Sequence, residues 1–282
     1  MSRPRSGPTT ALRVVAKELL RHRERAGMTL AAAAQALGVH TQTIIRTERA
    51  QTMPRRATVA QLARIYGVGD EETRALLDWL DHAQQPGWWH AYRRIVPEHM
   101  DGLMDLETEA ELIRIYAPAV VPELLRAPGY ARQLLAMRRP RAGPGELDRH
   151  LELVRQRQQH RGGRLWVVLE EAAVCRPVGG AKVMAEQREH LARYVAEPGR
   201  DGVTVQWIPF GTAPHPLMLG GPLEIYRHPH RAVPDHLVLR GLTEQTVTDD
   251  ADTVMTHVAA MDTAASRGHP PTTALPRVRS HA

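Results

Sequence analysis

Thr41, Gln42 and Arg46 fall along one side of the segment TQTIIRTER, while Ile44, Thr47 and Glu48 fall toward the other. At ~3.6 residues per turn, this spacing describes a short helix with one inward and one polar edge. The polar residue types match the edges of DNA bases. A glutamine amide pairs with adenine through both polar atoms, an arginine fork pairs with guanine, and a threonine meets a thymine methyl or a phosphate. Each bidentate pair supplies ~1–3 kcal/mol of discrimination between bases. Arg49, Arg55 and Arg56 come next, placed for phosphates, which set register without reading sequence.

Such a helix can work only if other elements present it. Leu12, Val15, Leu19 and Leu20 recur at helical spacing and end at Gly27, where a left-handed C-terminal residue is cheapest. Thr29 is placed to cap a second helix with Leu30, Ala33, Ala34 and Leu37 inward, and its small residues allow close approach of a neighbour. Gly38 ends it, and Val39 is expected to tuck into the core. Two helices joined by a three- to four-residue turn with a glycine form a helix-turn-helix pattern, whose second helix enters the major groove. Val59, Leu62, Ala63 and Tyr66 mark a fourth helix, and Leu76, Leu77 and Leu80 a fifth, begun by acidic residues that suit its dipole.

Charge points the same way. Residues 1–66 hold twelve Lys/Arg against three Asp/Glu, whereas the rest of the chain is close to neutral. A basic head suits a polyanion.

The stretch LRHRERAGMTLAAAAQALGVHTQTIIRTERAQTMP, within residues 12–80, resembles the DNA-binding domain of XRE-type (phage repressor-like) regulators. The resemblance implies an ion pair between Arg23 and Glu48 that joins helices and reads no bases. It places base reading on Thr41, Gln42 and Arg46, with Thr43 beside them and His40 at the edge near phosphate. His40 stands where the family usually has a capping Ser or Thr, and Ala50 where it often has Gly.

Pro86 and Gly87 break the helical pattern, so the sequence predicts a flexible arm over 1–11, a five-helix all-α domain over 12–85, an α/β or α+β domain over 86–268 and a flexible tail over 269–282. In the second domain LWVVLEEAAV, GVTVQWIPF, GPLEIYRHP and DHLVLRGL read as strands, and AELIRIY leaves helix and strand open. PGYARQLLAM, ELDRHLELVRQRQQHR, GGAKVMAEQREHLARYVAE and DADTVMTHVAAMDTAA read as helices. The pieces GWWHAYRR, VPELLRAPGYAR, LWVVLEEA, RPVGGAKVMAEQREHL, VTVQWIPF and GGPLEIY are similar to the C-terminal, antitoxin-like domain of long XRE-type regulators from G+C-rich filamentous bacteria. That resemblance implies a small partner protein encoded by an adjacent gene. It carries no catalytic residue.

Other chemistry finds little purchase, and no cofactor, metal or catalytic residue is expected. Gly179-Gly180 lacks the Lys-Ser/Thr of a phosphate loop and reads as a turn that starts a helix. Glu170 and Glu171, adjacent on a strand, would point to opposite faces. His215, His228 and His230 lack a ligand to complete a metal shell. Cys175 is the lone cysteine, so the expected setting is a reducing cytoplasm, at the nucleoid, and no apolar run reaches the ~20 residues of a membrane span. Matching two half-sites calls for a homodimer on double-stranded DNA, joined through the second domain. Two further readings are an antitoxin-like protein that sequesters its partner, and a small-molecule sensor with Trp88, Trp89 and Trp207 around a pocket.

Overall fold

The structure, a computed structural model, describes residues 9–96, 100–242 and 244–276. The expected arm and tail therefore lie outside the described residues at 1–8 and 277–282. The chain divides into two compact units. One runs to Leu106 and includes His230–Val233; the other holds Glu107–Pro229 and the chain from Pro234 on. This division falls well beyond the break expected at Pro86–Gly87, because a further helix, α6 (Asp101–Glu109), starts in the first unit and ends in the second.

The first unit contains α1 (Thr10–Arg25), α2 (Leu30–Leu37), α3 (Thr41–Glu48), α4 (Arg56–Ile65) and α5 (Asp70–Gln84), then a 3₁₀ turn at Trp88–Tyr92. The expected arm gives up its last two residues to α1: the Thr9 hydroxyl accepts from the Leu12 N–H at 3.2 Å and caps the helix there. Val15, Leu19, Ala33, Ala34, Ile44, Val59, Leu62, Ala63, Leu76 and Leu80 form the buried centre, with Leu77 packed at its margin. Val39 departs from expectation and is 36% exposed.

Helices α1 to α4 end alike, each with a left-handed residue whose N–H, and the next, turn back onto the last carbonyls. Gly27, Gly38 and Gly67 supply three of these at φ 62°, 75° and 72°. At α3 the residue is Ala50 at φ 55°, whose N–H donates to the Thr47 carbonyl at 3.1 Å while Gln51 N–H donates to that of Arg46 at 2.8 Å. An alanine there carries strain that glycine avoids. Its methyl offsets part of that cost by burial among Ala11, Leu12, Ala16 and Ala83.

In the second unit a six-stranded mixed sheet has the order β3-β2-β1-β4-β5-β6. The strands are β1 (Leu112–Ala117), β2 (Arg164–Glu170), β3 (Val203–Ile208), β4 (Leu223–Arg227), β5 (His236–Arg240) and β6 (Gln245–Thr248). β1, β2 and β3 pair in parallel, and β4, β5 and β6 add antiparallel. The connections carry α7 (Pro128–Arg138), α8 (Pro144–His160), the short α9 (Glu171–Cys175) and α10 (Ala181–Ala196). α11 (Ala251–Arg267) buries Val254, Met261, Ala264 and Ala265 against Tyr116, Val168, Ile225 and Leu237.

Two expectations are corrected here. Glu170 ends β2 and Glu171 opens α9, so the pair does not share one strand. The described part of the tail is held: His269 N–H donates to the Trp207 carbonyl at 2.9 Å and Gln206 Nε2 to that of His269 at 3.2 Å. The tail thus covers the outer edge of β3, while no strand among the described residues pairs beyond β6.

Arginine forks fill the polar interior of this unit. Arg157 grips Glu107 at 2.9 and 2.7 Å and also binds Glu123. Arg240 grips Glu224 at 2.7 and 2.8 Å. Burial pushes the Glu107 carboxyl up, against the pull of Arg157; at Glu123 burial also pushes up, but Arg157 and Arg126 outweigh it and hold the group below the usual carboxylate range.

Ala50→Gly removes ~1–2 kcal/mol of left-handed strain and about 0.8 kcal/mol of methyl burial, so stability should move by no more than about 1 kcal/mol. Ala50→Val, a β-branched residue at positive φ, should cost ~1–3 kcal/mol. Urea midpoints of the two variants check the contrast.

Candidate nucleic-acid interface

The inward side of α3 is fixed by Ile44, Thr47 and Glu48, all buried. Its outward side carries Thr41, Gln42, Thr43 and Arg46, all exposed, with Arg49 just past its end. At ~3.6 residues per turn, Gln42, Arg46 and Arg49 project furthest from the buried side, and Thr41 and Thr43 flank them. No side-chain hydrogen bond or ion pair holds Gln42, Arg46 or Arg49 among the described residues. These side chains are available to an external partner.

The helix is locked from behind by the pair implied by resemblance. Arg23 Nε donates to Glu48 at 2.8 and 3.1 Å, and Arg23 Nη2 donates to Glu48 Oε2 at 3.0 Å. Arg23 Nη1 also donates to the Met28 carbonyl at 2.9 Å, which fixes the chain leading into α2. The Glu48 side chain is 4% exposed. The bond to Glu48 raises the Arg23 pKa. Tyr66 donates its hydroxyl to Glu48 at 3.4 Å; burial, then the Glu48 charge, pushes that phenol up. Tyr66 reads from sequence only as core, because its hydroxyl partner lies on another helix.

α2 enters with the Thr29 hydroxyl accepting from Ala32 N–H at 3.1 Å, and Gly38 at its end makes the turn. His40 occupies the N-cap of α3 without a side-chain cap bond, so its exposed ring stands at the helix start. Arg55 is exposed at the N-cap of α4, and no partner holds it among the described residues. Arg56 differs from expectation: it forms an ion pair with Asp81 and donates to the Leu77 carbonyl at 3.4 Å. Asp81 lies a helix away, and no spacing in sequence announces it.

The remaining candidates scatter. Trp88 and Trp89 pack edge to face at 5.9 Å in the first unit, whereas Trp207 sits on β3 in the second and meets the His269 ring at a tilt, 4.4 Å between centroids. The three do not gather in one unit. His215 Nε2 lies 2.9 Å from Glu170 Oε1, which also accepts from the Tyr116 hydroxyl at 2.9 Å. His228 and His230 follow β4 in a turn, and the His230 ring meets Trp79 at 5.8 Å. Gly179 and Gly180 form the turn before α10, at φ 68° and 86°. Burial pushes the Cys175 thiol up, away from the reactive thiolate.

Two short helices at a glycine turn, the second held by a buried ion pair and open on its other side, define a helix-turn-helix protein. Residues 15–76 match the helix-turn-helix domain, and the chain is accordingly a DNA-binding regulator. Residues 100–280 match the domain of unknown function DUF5753, and the chain belongs to that family. No curated protein and no solved structure matches it. Among the described residues no helix is long and apolar enough to cross a membrane.

Glu48→Ala leaves Arg23 charged in the interior and should cost ~3–5 kcal/mol of stability. A double variant, Arg23→Met with Glu48→Leu, should recover much of that loss. Thermal unfolding of the single and double variants checks it.

Proposed function

We propose that this chain is a sequence-specific transcriptional regulator of the XRE (phage repressor-like) kind. It lays α3 in the major groove. Gln42 and Arg46 read base edges, with Thr41 and Thr43 beside them. Arg49, Arg55 and His40 hold phosphates. Arg56 is reserved mainly for Asp81. The observation that carries this reading is the outward set of Gln42, Arg46 and Arg49, unpartnered on a helix fixed from behind by Arg23 and Glu48. The role is binding at the nucleoid, without a chemical step.

One such helix gives modest affinity, so the reading includes a homodimer on two half-sites about one helical turn apart. The open edge of β6 favours pairing through the second unit, where a second copy can continue the sheet. The antitoxin-like reading gives the same unit a small partner protein encoded nearby. A small-molecule role draws support from His215, whose buried Nδ1 has no hydrogen-bond partner.

Gln42→Ala and Arg46→Ala should each lose ~1–3 kcal/mol of discrimination between bases, while Arg55→Ala weakens all duplexes alike. Footprinting on preferred and scrambled duplexes separates the two behaviours, and identical behaviour of the three variants contradicts the assignment. Solution mass should be that of a dimer, and a strict monomer with and without DNA excludes the pairing.

A further inference from the structure

A cleft of about 780 Å³ opens against the loop that leaves α3. Met53, Pro54 and Pro86 form its walls. Its polar lining is Arg55, Arg56, Gln84 and His90, with no carboxylate among the lining residues. Arg56 is already engaged by Asp81. Arg55, Gln84 and His90 have no side-chain hydrogen-bond partner among the described residues. Thus three polar groups able to donate N–H bonds line a concave surface that has no carboxylate in its lining.

The turn that brings His90 there is fixed. Its backbone N–H donates to the Gly87 carbonyl at 3.0 Å. The Trp89 ring lies so close over Gly87 that a Cβ there would stand 2.2 Å from it. Only glycine fits under that ring, so the position of His90 follows from packing and not from chance at a surface. The cleft is broad and open to solvent. That shape does not enclose a small organic molecule, which usually buries most of its surface. It does suit an anionic chain passing across it.

We infer that this cleft holds a phosphodiester of the DNA backbone flanking the base pairs met by α3. Arg55 supplies the positive charge, and the His90 imidazole and Gln84 amide each donate an N–H to a phosphate oxygen. The inference rests on the proposed reading of α3, and it extends the contact beyond the helix-turn-helix to the segment that follows α5. Free inorganic phosphate offers the same oxyanion, so the test has an arm for each source.

The experiment uses the full chain and measures affinity by fluorescence anisotropy for a preferred and a scrambled duplex over a range of salt. His90→Ala and Gln84→Ala should each weaken binding about three- to tenfold, equally on both duplexes. Arg55→Ala should weaken both and make the slope of log K against log salt shallower by about 0.9. His90→Gln keeps a donor and should recover most of the loss. Inorganic phosphate, followed by ³¹P line broadening, should bind the wild type, compete weakly with the duplex, and lose its broadening in Arg55→Ala. Wild-type affinity in both His90→Ala and Gln84→Ala overturns the inference. Phosphate binding without any effect of these variants on the duplex also overturns it, leaving a site for free anion only. If the wild type prefers no duplex over another, the reading of α3 falls, and the scrambled duplex alone still decides the cleft.

Discussion

The bidentate pair between Arg23 and Glu48 is the constraint on which the first unit turns. Removing two charges from water is expensive, and the return depends on geometry and on satisfying every remaining donor. Here the guanidinium fork meets both carboxylate oxygens and a backbone carbonyl, and a phenol adds a further bond. A pair so constrained does not slide. It sets the rotation of α3 about its own axis, because Glu48 can face only α1. Once that rotation is set, Gln42, Arg46 and Arg49 must face outward. The interior ion pair therefore governs which side chains the exterior surface presents.

The second unit uses the same chemistry on a larger scale. Arg157, Arg240, Glu107, Glu123 and Glu224 join the end of α6, a 3₁₀ turn at Glu123–Leu125, α8, β4 and β5 through paired forks. A chain whose basic residues are almost all arginine is suited to this, since the planar fork matches a carboxylate where a lysine offers only a point charge. Such networks set which elements may neighbour one another more than they add stability, because any other pairing strands a charge.

Much of this was legible from residues alone. The period of the first three helices, the glycine after α2 and the polar edge of α3 follow from rules of local geometry, and the structure keeps them. Strands β2 to β5 also followed, from apolar or alternating runs bounded by turns, whereas the segment of β1 stayed open between helix and strand. What could not be read depended on distant partners. Arg56 looks free until Asp81 appears across α5. The break at Pro86–Gly87 signals a turn truthfully, yet the chain continues to pack with the first unit through α6. β6 is too short and too polar to announce itself. Glu171 extends an apolar run in sequence but caps the strand in space, because a helix starts at that residue. His90 and Gln84 gave no signal, since a cleft is a property of surfaces that only folding brings together.

The two borders of the sheet differ in one respect with consequences for assembly. The tail closes the border at β3 through His269, while the border at β6 stays open among the described residues. A sheet able to accept strands on both sides can add copies without limit and grow into a fibre. With the tail on the β3 side at His269, a copy joining at β6 would use the border left open among the described residues, and growth would stop at two. The contact of His269 with β3 would thereby decide between a finite complex and an endless one.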